Sequence, residues 1–149
     1  MANTFTAPFA QTPQVASCVV TTAVALTPNG VDSSTTVTNS VLLLTAGANG
    51  SILTELSAMP RATVTASSLC IWSSTDGGTT KHLVACALMP AYTLAATTLN
   101  ARTAFYHADG STLIDETNPL RLSASEKLYA GTLVTLATGI VFNARYVDY

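Results

Sequence analysis

Turn signals recur along this chain at short intervals, and that spacing rules out most folds. Pro28-Asn29-Gly30, Gly47-Ala48-Asn49-Gly50, Asp76-Gly77-Gly78, Asp109-Gly110, Asn118-Pro119 and Thr138-Gly139 all carry turn chemistry. Glycine reaches positive φ, proline presets φ, and Asn or Asp bonds to its own backbone. Between the turns Thr, Val and Leu recur, while Glu, Lys and Gln are scarce. That is strand composition. Short apolar runs between closely spaced turns predict an all-β chain, a sandwich or a barrel, and of the two a single-domain antiparallel β-sandwich, jelly-roll-like, is the expectation.

The pattern predicts strands near 15–26, 35–45, 51–57, 62–73, 79–89, 103–107, 111–115, 127–136 and 140–147. In the last of these, Ile140, Phe142, Ala144 and Tyr146 share one face, and Asn143 and Arg145 share the other. Segments 62–73 and 79–89 flank Asp76-Gly77-Gly78, the strongest hairpin signal in the chain. Leu69 to Trp72 and Leu83 to Leu88 are apolar on both faces, as expected of central strands covered on both sides, or of strands with one face in the core and one in an interface. Ala91 to Leu99 reads as a helical turn or a long connection. Ser123-Ala124-Ser125-Glu126 has capping-box spacing, yet strand-like neighbours make it a turn. Residues 1–13 differ: Phe5 and Phe9 stand among small residues, and Pro8 and Pro13 block regular structure. They read as a frayed terminus or as an extended N-terminal arm, with the sandwich over 14–149.

Charge narrows the function. Only 9% of residues are charged and the net charge is −2, against about 25% charged in an ordinary domain. With Lys81 and Lys127 as its only lysines, the chain has no basic patch for nucleic acid. No apolar run is long enough for a membrane helix, and the opening residues lack the charged start and apolar run of a secretory signal, so synthesis and folding in a cytoplasm are expected. A Thr- and Ala-rich surface suits burial against other protein, so a homo-oligomer is expected.

Chemistry is sparse. No Gly-x-Ser-x-Gly, phosphate-binding loop or Cys-x-x-Cys occurs. His82 reads as an ordinary strand histidine. His107 and Asp109 open a turn leading to Asp115 and Glu116, which could hold a divalent cation weakly but reads first as a solvated turn. Tyr106, His107, Asp109 and Arg102 form the nearest approach to a carbohydrate-binding grouping. The expectation is no catalytic residue, no cofactor and no metal. Cys18, Cys70 and Cys86 read as buried free thiols. Alternatively, Cys70 and Cys86 face each other across the hairpin, opposite to within about one residue, which leaves Cys18 for an intermolecular link.

The stretch from Leu53-Thr54-Glu55-Leu56-Ser57-Ala58-Met59-Pro60-Arg61 through Ser74-Thr75-Asp76-Gly77-Gly78 resembles small structural proteins of tailed bacteriophages. So do Met1 to Gln11 and the ending, from Pro119-Leu120-Arg121-Leu122 through Lys127-Leu128-Tyr129-Ala130-Gly131 to Gly139-Ile140-Val141-Phe142-Asn143-Ala144. The resemblance implies a β-sandwich virion protein, a capsid decoration (cement) protein on the head exterior, commonly trimeric and made in the host bacterial cytoplasm. Its partners would be the major capsid protein or other virion proteins, and itself. A neck, collar or tail component and a carbohydrate- or receptor-binding β-module are the alternatives. Phe5, Phe9, Trp72 and Tyr92 are the candidate contact residues, and for each of them burial in the core is the competing expectation.

Overall fold

The computed structural model describes residues 12–25, 33–34 and 37–149. Among them all regular structure is strand: β1 (Thr12–Val20), β2 (Ser33–Ser34), β3 (Val41–Thr45), β4 (Ser51–Pro60), β5 (Ser67–Ser74), β6 (Lys81–Met89), β7 (Thr103–Ala104), β8 (Tyr106–His107), β9 (Leu120–Leu122), β10 (Lys127–Thr132) and β11 (Ile140–Asp148). They form two sheets in which every pairing is antiparallel. The first sheet runs β1-β11-β4-β7, with β9 also on β4; the second runs β2-β6-β5-β10-β3, with β8 on β6.

Strand alternation builds the space between the sheets. β11 turns Ile140, Phe142 and Ala144 inward, and Phe142 meets Phe105 with ring centroids 5.8 Å apart. From the second sheet come Leu69, Ile71, Ala85, Ala87, Met89, Leu128 and Ala130. All of these lie in one continuous apolar cluster with Leu53, Leu56 and Ala58 of β4. Close packing of large buried side chains of this kind dominates the stability of a sandwich.

Three bulges change the phase of this alternation. Between Arg145 and Tyr146 of β11, the partner on β4 jumps from Glu55 to Leu53, so Thr54 and Glu55 share one opposite residue. That is why Leu53 and Leu56, three apart, are both core. Opposite Leu128/Tyr129 the extra residue is Leu43, and Leu43 and Leu44 are both buried. Opposite Ile71/Trp72 it is Val84, which packs against the core beside Ala85.

The expected all-β sandwich is the observed architecture, with local differences. β1 starts at Thr12, so residues 12 and 13 belong to the sheet rather than to an arm; Phe5 and Phe9 lie outside the described residues. The strand expected over 111–115 is a turn-rich loop held by one bridge, Tyr106 to Leu113. Asp109 explains the difference: its carboxylate accepts from the Ser111 and Thr112 amides and so caps a turn where a ladder would need those groups. Residues 91–99 form a connection whose Tyr92 bridges to Val64 and donates its hydroxyl to the Leu99 carbonyl at 3.1 Å. At Ser123-Ala124-Ser125-Glu126 the Glu126 carboxylate accepts the Ser123 amide at 2.7 Å. The capping-box contact is thus made with no helix behind it, and Ser125 at φ 58° turns the chain instead.

Candidate functional site

The β4 bulge decides where charge gathers. By placing Thr54 and Glu55 together opposite Arg145, it turns the Glu55 carboxylate onto the outer face of the first sheet. Arg145 approaches it from β11 with Nε 3.4 Å from Oε2, and Arg102, just before β7, bonds Oε1. One carboxylate is thereby shared by two guanidiniums, all three side chains being partly exposed. Such ion pairs at a surface contribute little to stability, about 0.2–1 kcal/mol each.

This cluster forms a ridge between two clefts. One, of about 410 Å³, is lined by Thr54, Glu55, Arg102, Asp115, Glu116 and Arg145 together with Leu113 and Ile114. The other, of about 310 Å³, adds Val15, Met59 and Asn143 on the far side. In a chain with six Lys and Arg and eight Asp and Glu, so many on one cleft is a concentration of charge. Both Glu55 oxygens are occupied by guanidinium, and Asp115 accepts the Thr117 and Asn118 amides, each at 2.8 Å. The guanidinium N–H groups that Glu55 leaves free could clamp an acceptor-rich ligand.

A third recess, of about 360 Å³, is lined by His107, Asp109, Thr112, Asn118 and Pro119. His107 Nε2 sits 3.1 Å from the Asn118 carbonyl, and Asp109 binds the amides of its own turn, which hold its carboxyl below the usual range. The grouping suggested by sequence is therefore divided. His107 and Asp109 share this recess, Arg102 belongs to the charged cleft, and Tyr106 stands opposite Cys86 on the second sheet. No group of three or more His, Cys, Asp or Glu side chains among the described residues is placed to hold a metal ion. His82 is an exposed strand residue.

The candidate contact residues fare differently. Trp72 is fully buried, so it is a core residue with no surface to offer a partner. It faces away from the main core and forms a second cluster with Val24, Val37 and Cys70. Tyr92 is half-buried against the main core and ties down its own loop. Among the described residues the most exposed large apolar side chains lie elsewhere: Val15 (73%) on β1, Leu88 (71%) on β6, and Leu99 (96%) in the long connection. Sequence reasoning missed Glu55 and Arg145 as a pair, because their meeting depends on a bulge that no local motif marks. Comparison with protein-family models, with curated proteins and with solved structures finds no match, so the geometry and the sequence resemblance carry the functional reading.

Proposed function

We propose that this chain is a structural component of a tailed-phage virion, a decoration (cement) protein that binds the outside of the assembled head as a homo-oligomer, a trimer. The observation behind the packing role is β1. It is nine residues long, carries no charged side chain, keeps an unbroken register with β11, and among the described residues pairs with no strand on its other side. Long edges of that kind template pairing with another chain, and proteins that stay apart usually blunt them with lysine or a bulge. Pro13 blocks only the outer end, and Val15 and Val19 leave an apolar outer face.

The mechanism is mechanical. Binding the assembled shell better than its free subunits stabilises the shell by linkage. Several copies around a symmetry axis add avidity, and apolar contact contributes about 25 cal/mol per Å² before ordering costs. A neck, collar or tail position uses the same surfaces and differs only in place.

Light scattering on the purified chain should give the mass of three chains, and the protein should co-sediment with empty heads of the phage that encodes it. Val15→Glu, which places a carboxylate opposite Arg145, should abolish association while leaving the circular dichroism of the monomer intact. Deleting residues 2–11, which spares β1, should weaken attachment if Phe5 and Phe9 anchor the chain. A solitary wild-type monomer that ignores heads overturns the proposal. The charged cleft favours a second reading, a glycan-binding module; binding to a glycan array that Arg102→Ala removes would select it.

A further inference from the structure

Cys70 on β5 and Cys86 on β6 are direct register partners, so their side chains leave the same face of the second sheet side by side. The hydrogen-bond parity of the ladder adds geometry. The Leu133 amide donates to the Ser68 carbonyl, which turns Ser68, and by alternation Cys70, toward β10 and away from β6. On β6, the Ala108 amide donates to the Val84 carbonyl, and Cys86 likewise turns toward β8. The two cysteines therefore form a non-hydrogen-bonded pair, the kind in which Cα atoms approach to about 4.5 Å and side chains are closest. A disulfide accepts Cα separations from about 4.4 to 6.8 Å.

We propose that Cys70 and Cys86 are a reversible cross-strand thiol pair, open in a reducing medium and closed to a disulfide by a small-molecule disulfide oxidant such as oxidised glutathione. The two thiols are unequal. Cys70 is buried in the cluster of Trp72, Val24 and Val37, whereas Cys86 is half-buried and reachable. Burial, and after it the neighbouring Cys86, pushes the Cys70 thiol up to about 11.

Cys86 is the attacking group. Its thiolate displaces one glutathione thiolate from the oxidant and forms a mixed disulfide. Cys70 then loses its proton to solvent, attacks the Cys86 sulfur and expels the second glutathione thiolate. Two protein thiols give up two protons and two electrons, and the oxidant becomes two thiols. Cys70 attacks only as its thiolate, so the rate of closure rises with pH. Cys18 takes no part, because it lies on β1 in the opposite sheet and packs against the main core. Closure after release from a reducing cytoplasm would staple the hairpin outside the cell; that timing alone rests on the virion reading.

The test uses the full chain equilibrated with oxidised glutathione or with dithiothreitol. Thiol titration in denaturant should fall from three per chain to one, and non-reducing peptide mapping should join the Cys70 and Cys86 peptides. The melting temperature of the oxidised form should exceed that of the reduced form by roughly 5–10 °C. Cys18→Ser should keep the thermal gain while its titration falls from two thiols to none, Cys86→Ala should lose both the closure and the thermal gain, and Cys70→Ser should accumulate glutathione at Cys86. Should Cys70→Ser fail to fold, Cys86→Ala decides alone. Three titratable thiols after oxidation, a bond involving Cys18, or equal melting temperatures would overturn the proposal, whatever the outcome with phage heads.

Discussion

The outer faces of the two sheets are finished in opposite ways. On the first sheet the outer face is open, and Glu55 held between Arg102 and Arg145 stands there beside the exposed Val15 and Val19 of β1. On the second, the chain returns over the sheet. Val24 and Val37 lie on Trp72 and Cys70, and the cover is fastened by the Val24 amide on the Thr132 carbonyl at 2.8 Å and by Lys81 Nζ on the Val37 carbonyl at 3.3 Å. A covered face stabilises by burying apolar area, whereas an exposed ion cluster trades solvation for screened attraction. Beyond the core that both sheets share, the second sheet therefore carries an additional buried cluster on its outer face that the first lacks.

If that contrast holds, damage to the cover should far outweigh damage to the cluster. Trp72→Ala removes the largest side chain under the cover and should cost about 3–5 kcal/mol in urea unfolding followed by circular dichroism. Gly131 sharpens the point. A Cβ there would stand 2.3 Å from Val24 Cγ2 and 2.7 Å from Trp72 Cζ3, so only glycine lets the indole lie across β10. Gly131→Val should destabilise by about 1–3 kcal/mol and shift the emission of the single tryptophan, a sign that the cover has lifted.

A smaller effect belongs to the hairpin that joins the two central strands of the covered sheet. Asp76 accepts the Thr80 amide at 2.9 Å and the Ser74 hydroxyl at 2.7 Å, and these bonds hold its carboxyl far below the usual range. Because the folded value lies below the unfolded one, the contribution is complete at neutral pH and is lost as pH falls below about 4. Asp76→Asn should therefore lower the melting temperature at pH 7 and flatten its decline in acid, as measured by thermal scans between pH 2 and 7. Least of all should come from the open face. Glu55→Gln should cost only about 0.2–1 kcal/mol, and less in high salt. A loss there as large as that of Trp72→Ala would erase the contrast.

Much of the sandwich was legible because strand pairing leaves local marks. Asp76-Gly77-Gly78 announced the β5–β6 hairpin, and counting outward from it brought Cys70 and Cys86 opposite to within about one residue, where the register makes them direct partners. The alternation of Ile140, Phe142 and Ala144 named the core face of β11. The runs Leu69 to Trp72 and Leu83 to Leu88 predicted strands covered on both sides or with one face for an interface; β5 is covered on both, whereas β6 leaves Leu88 71% exposed. The candidate site was far less legible. Arg102 and the acids of the 109–116 turn were noticed one by one, but Glu55 was not.

What the amino-acid sequence determined by itself was therefore class and local pairing: strands, turns, inward faces and one hairpin register. These follow from backbone preferences and side-chain alternation over a few residues. Tertiary structure alone decided that Glu55 meets two arginines, that Trp72 is roofed rather than presented, and which strand is left at an edge. Each of those outcomes joins segments far apart in the sequence, or depends on a bulge that shifts a strand by one residue. Such choices are settled by which packing buries the most apolar area with every amide bonded, and no short window of residues holds that information.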